Sequence, residues 1–212
     1  FSVAATPPWS LWDGKDYKNM SDQDEAKFRM IEYHKWKFKA KIFSPLAPLT
    51  VKRTPVLMTR VEYGFLGSYN KYKKSPFETF YMGGDGMSGY SSTYATETIG
   101  LRGYENGSIA GNGGYNSYGY AYSRLSMELR YPFLLEPSST IYGLVFVEAG
   151  NAWRDLKDFN PFQLKRSAGV GVRIFLPMIG LMGIDWAYGF DRPDGYDQRG
   201  GSNFHFIIGQ EF

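Results

Sequence analysis

The sequence predicts an all-β fold: an antiparallel, up-and-down, transmembrane β-barrel. Three observations predict it. Apolar and polar residues alternate with a period of two in one segment after another. The connections between those segments are alternately long and short. The composition is rich in turn and strand formers, with 25 Gly, 17 Tyr, 16 Phe and 5 Trp in 212 residues. Long helices disfavour glycine and aromatic residues alike.

The expected strands follow in order. Phe1–Thr6 is a truncated first strand. Tyr33–Phe43 alternates Lys35, Lys37, Lys39 and Lys41 with Trp36, Phe38, Ala40 and Ile42. Val56–Phe65 sets Arg60, Glu62 and Gly64 against Thr59, Val61, Tyr63 and Phe65. Tyr120–Phe133 places Tyr122, Arg124, Ser126, Glu128 and Arg130 opposite Leu125, Met127, Leu129, Tyr131 and Phe133. In Ile141–Gly150, Glu148 faces away from Val145, Val147 and Ala149. Ser167–Leu176 and Leu181–Phe190 alternate bulky residues with Gly, Ser, Arg173 and Asp185. Asn203–Phe212 places Phe204, Phe206, Ile208 and Phe212 on one face and Asn203, His205, Gly209 and Glu211 on the other. The long connections are about 7–29, 67–118, 151–163 and 191–202, and the short ones 44–49, 132–140 and 177–180. Strands of about ten residues with one apolar face, joined by turns at one end and long loops at the other, are the membrane-barrel pattern.

Periodicity alone leaves open a soluble up-and-down barrel of the lipocalin type, with its apolar face inward. The bulk of the apolar faces decides against it, because eight of them would crowd a small interior. The lysine row of Tyr33–Phe43 then has to face the lumen, since each Lys toward lipid costs about 2–4 kcal/mol at the midplane. Aromatic residues at strand ends, Tyr131, Phe133, Phe190 and Phe212, suit interfacial girdles.

Several function classes are excluded. The net charge of +3 gives no electrostatic footprint for nucleic acid. There is no cysteine, and two histidines, His34 and His205, make no multi-histidine zinc site, so no metal is expected. The longest apolar run, Arg173–Asp185, holds Pro177 and two glycines and is too short for a spanning helix. The chain opens Phe1-Ser2-Val3 without a signal peptide, so an exported protein would be a mature form or a fragment. Gly84-Asp85-Gly86-Met87-Ser88-Gly89 has GxGxxG spacing but lacks the helix that dinucleotide binding needs. Ser88 misses the nucleophile-elbow spacing by one position. Neither an enzyme nor a cofactor is expected.

The long 67–118 loop carries Leu101-Arg102-Gly103-Tyr104 in its middle. Glu128 and Glu148 lie on the lumen faces of consecutive strands, a few residues from their shared turn. A guanidinium from the loop can bridge two such carboxylates. Removing it is expected to leave two unpaired acids. The terminal strand is expected at the sheet edge and irregular at Gly209, where glycine weakens a strand. Such a bend either lets the end leave the wall or relieves crowding inside it.

Gly83-Gly84 and Ile99-Gly100-Leu101-Arg102-Gly103-Tyr104 resemble the inward-folded loop of the BamA family of outer-membrane assembly factors and its translocase relatives. Further similar stretches are Leu129–Pro132, Phe146–Trp153, Ala168–Arg173 and Phe206–Phe212. The resemblance runs from about Thr6 to the end. It implies the last eight strands of a sixteen-stranded barrel, with POTRA domains and the first strands outside this chain. It implies an integral protein of the Gram-negative outer membrane that folds and inserts nascent outer-membrane proteins. The insertion route would be a lateral seam at the last strand, Phe204, Phe206, Ile208, Gly209 and Phe212. Partners would be the substrates, assembly-machinery lipoproteins, outer-membrane lipid and the N-terminal part of the same chain. A secretion translocator of the same superfamily and a passive porin or adhesin barrel are the alternatives.

Overall fold

The computed structural model describes residues 1–21, 24–48, 50–51, 53–86, 97–109, 118–136, 139–177 and 180–209. Each segment of alternating polarity forms a strand there. The wall strands are β1 (Ser2–Ala5), β2 (His34–Pro45), β3 (Val56–Gly67), β6 (Ala121–Glu136), β7 (Ser139–Trp153), β8 (Lys165–Leu176), β9 (Gly180–Gly189) and β10 (Gly201–Ile208). Two short strands, β4 (Phe80–Met82) and β5 (Glu97–Ile99), lie within the long connection. The wall is an open eight-stranded sheet in the order β1-β2-β3-β6-β7-β8-β9-β10. Each neighbouring pair is antiparallel. This is a meander, and β1 and β10 are its edges.

The two faces sort as an apolar exterior requires. Trp36, Phe38, Met127, Leu129, Val145, Val147, Ile184 and Phe206 are exposed on one face. Arg60, Glu62, Arg124, Glu128, Glu148, Arg173 and Asp185 are buried on the other. The lysine row turns inward to acids. Lys35 and Lys37 reach Glu97 at 2.8 and 3.0 Å, and Lys39 reaches Glu62 at 2.7 Å. A soluble barrel would bury the opposite face, so this inversion places the exterior in lipid. Val147→Arg, halfway along β7, is therefore expected to destabilise the membrane-inserted barrel by about 2–4 kcal/mol. Lys37→Arg on the inner face is expected to stay within about 0.5 kcal/mol. Denaturant titration in lipid vesicles checks both.

β6 and β7 are the longest strands and make the tallest part of the wall. The register slips between Pro132 and Leu134, where proline lacks an N–H for the ladder. The last strand begins two residues before the sequence reading of Asn203–Phe212, whose final three residues lie outside the described ones. β10 pairs with β9 from Gly201 to Ile208, and Gly209 follows with φ +72° and its N–H bonded to the Leu181 carbonyl at 2.7 Å.

Candidate functional site

The described part of the connection between β3 and β6 packs against the inner face of the wall. β4 and β5 pair in parallel, and a bridge between Phe80 and Gly119 ties the start of the excursion to its return. The Leu101 N–H donates to the Gly84 carbonyl at 3.1 Å, which closes the turn ahead of the motif. Phe80, Met82, Ile99, Leu101, Tyr104 and Ile109 bury themselves against Leu66, Tyr122 and Ala152 of the wall. The loop therefore supplies most of the apolar cluster that it forms with the wall. Burial of this kind is worth about 1.5–3 kcal/mol per large side chain, which holds the tip in place.

Arg102 stands at that tip with no exposed surface. Its Nη2 donates to Glu128 at 2.6 Å and to Glu148 at 2.7 Å, and its Nη1 donates to Asp185 at 2.9 Å. Its backbone N–H donates to the second Glu148 oxygen at 3.0 Å. The guanidinium carbon sits 3.5 Å from the Phe146 ring centroid, a stacked cation–π contact. Space for this comes from β8. A Cβ on Gly169 would lie 2.5 Å from the Phe146 ring, and one on Gly171 would lie 1.7 Å from Asp185. Burial opposes the charge on Arg102, but Glu148 and Glu128 outweigh it and raise the guanidinium above its ordinary value.

Each acid of the clamp also has an arginine of its own on the wall. Arg124 reaches Glu148 at 2.8 Å, Arg130 reaches Glu128 at 2.7 Å, and Arg173 grips Asp185 at 2.6 and 2.7 Å. This corrects the expectation that losing Arg102 leaves two unpaired acids. The three carboxylates keep wall partners when the loop departs, so the clamp can open without stranding a buried charge.

The next two residues fix the tip sideways. Gly103 adopts φ +86°, and its N–H donates to His205 Nε2 on β10 at 2.9 Å. The Tyr104 hydroxyl donates to the Arg166 carbonyl at 2.6 Å and accepts from the Asp191 N–H at 3.3 Å. Burial pushes the Tyr104 hydroxyl up to about 12. Among the described residues no group of acids and histidines is arranged to hold a metal ion.

A wall of alternating strands, an inward loop and this motif can now be compared with known proteins. Residues 27–212 match the Omp85 superfamily domain. The chain belongs to the Omp85 superfamily. Among solved structures, this Omp85 chain is similar to BamA from Haemophilus ducreyi lacking POTRA domains 1–3. The identity is 21%, the TM-score 0.56, and the match covers 82% of this chain and 34% of that one. That likeness is one of fold, and this chain spans about a third of the length of the protein it matches. No curated protein matches significantly.

In the Omp85 barrel the residues singled out in the sequence fall into two groups. Leu101, Arg102, Gly103, Tyr104, Glu128 and Glu148 converge in the interior. Phe204, Phe206 and Ile208 project outward from β10 and are exposed, with Gly209 just beyond the strand. Phe212 lies outside the described residues. Of the GxGxxG stretch, Gly84 and Gly86 sit in the turn before the motif, while Met87, Ser88 and Gly89 lie outside the described residues. Sequence reasoning missed Asp185, the wall arginines, Phe146 and His205 as members of the site. Their inward face was legible from the period of two. Their meeting depends on cross-strand register, such as Gly171 opposite Asp185.

Proposed function

We propose that this chain belongs to an insertase of the outer membrane, BamA-like in action, that folds and inserts nascent outer-membrane proteins through a seam at β10. It works without enzymatic chemistry or a cofactor. The observation that carries the reading is the hydrogen bond from Gly103 of the clamped loop to His205 of the edge strand. β10 pairs with β9, and in this reading its other edge meets the first strands of the same barrel, which lie outside this chain, in a seam that can part. An exposed edge is a template for an incoming strand. Its apolar side chains Phe204, Phe206 and Ile208 match the face an inserting strand turns to lipid. The tip of the interior loop is joined to this strand, which fits a gate more than a static pore. Assembly lipoproteins and outer-membrane lipid are the further partners in this reading.

The test is photocrosslinking in the full protein chain during outer-membrane protein synthesis. A photoreactive residue at Phe206 is expected to capture nascent outer-membrane proteins, while one at Val147, equally exposed on β7, captures none. Equal capture at both positions counts against the seam. Capture of secreted polypeptide from the lumen position Lys39, with none from Phe206, assigns the chain to the translocators instead.

A further inference from the structure

We propose that His205 is a proton-operated latch between the loop tip and the edge strand. The inference rests on the insertase reading only for what the latch controls. Its basis is the direction of one hydrogen bond. The Gly103 N–H can only donate, so His205 Nε2 must accept, and the imidazole is neutral with its proton on Nδ1. A proton added to Nε2 puts two donors face to face and removes the bond. Histidine is the side chain that makes this change between about pH 5 and 8.

The surroundings make the change a switch. His205 is buried, and directly opposite it in the β9–β10 register lies Asp185. The charges acting on the ring are Arg102 of the loop, Asp85 of the turn after β4, Asp185 of β9 and Glu148 of β7. Glu105 shares with His205 and Asp85 a cavity of about 300 Å³ that gives water, and hence protons, a way to the ring. In the latched state Arg102 supplies a positive charge to Asp185 and Glu148 and so repels a second one on His205. When the loop leaves, that repulsion leaves with it. Protonation and loop release therefore promote each other. The tip is held at neutral pH and freed on acidification.

The experiment is hydrogen exchange of the peptide spanning Gly103, in the full protein chain in vesicles, at about pH 7.5 and about pH 5.5, corrected for intrinsic exchange. Wild type is expected to lose about fivefold or more of its protection at the lower pH, the effect of one hydrogen bond. His205→Gln, whose amide oxygen accepts at either pH, is expected to show no such loss. His205→Asn serves as a second neutral acceptor if the first variant folds poorly. His205→Ala is expected to be unprotected throughout. A parallel loss in wild type and the amide variants, or no loss in any, overturns the latch. Assembly of an outer-membrane barrel substrate in the same vesicles reads the other premise. A latch that responds to pH in a protein that assembles nothing leaves the latch standing and removes the insertase reading.

Discussion

Arg102→Ala is expected to free the loop tip while leaving the wall folded. The substitution removes three charge-assisted hydrogen bonds and the stacking on Phe146. Truncating a buried ion pair commonly costs about 3–5 kcal/mol because a charge is left without a partner. Here Glu148 keeps Arg124, Glu128 keeps Arg130 and Asp185 keeps Arg173. The expected cost is therefore at the lower end, about 3 kcal/mol, and it falls on loop docking. Protease cleavage within the 97–109 segment should rise sharply, while the denaturation midpoint of the strands should move little. Glu148→Gln provides the contrast. It weakens the partner of both Arg102 and Arg124, so two buried cations lose charge balance and the wall itself should destabilise. If Arg102→Ala unfolds the whole barrel, the loop is a structural plug and not a releasable part. That outcome also weakens the gating role given to β10.

The alternation of side chains made the wall legible. A one-residue slip moves every side chain to the other face, so Lys35–Lys41 and Tyr122–Arg130 fixed inside and outside together. The inward clamp was legible in part, because Arg102, Glu128 and Glu148 are chemically matched. Asp185 was not, since nothing local distinguishes it from a solvated acid on the same face. Its role comes from Gly171 across the strand pair, which leaves room for the carboxylate. β10 begins two residues before the expected Asn203, and the expected end at Phe212 lies outside the described residues. The Gly209 N–H still meets the Leu181 carbonyl, and a positive φ there departs from strand geometry. The switch was illegible for a different reason. His205 reads as one polar residue on an alternating strand until its partner, a backbone N–H far away in sequence, is placed.

Gly103→Ala is expected to lift the tip off the wall, with a signature unlike that of Arg102→Ala. A Cβ at this position would lie 2.9 Å from the Gly189 nitrogen and 2.9 Å from the Ser167 Cβ. Those are backbone and stem atoms of the wall and have little freedom to retreat. The tip has as little, because Glu148 holds the Arg102 N–H and His205 holds the Gly103 N–H. The left-handed backbone adds about 1–2 kcal/mol for any residue with a Cβ, and overpacking adds about 1–3 kcal/mol. A total of about 3 kcal/mol is expected, measurable as lost exchange protection across 101–104. Gly14→Ala separates the two contributions. Gly14 has φ +64° and nothing within 4 Å of its would-be Cβ, so it registers the backbone penalty alone. Stability close to wild type for Gly103→Ala would show that the tip does not press on β8 and β9. An Ala variant that loses protection equally at neutral and acidic pH points to a steric fault, since the displaced N–H no longer reaches His205. Loss confined to acidic pH would instead place Gly103 in contact with a still-functioning latch, and the close approach to Gly189 would not be what positions the loop.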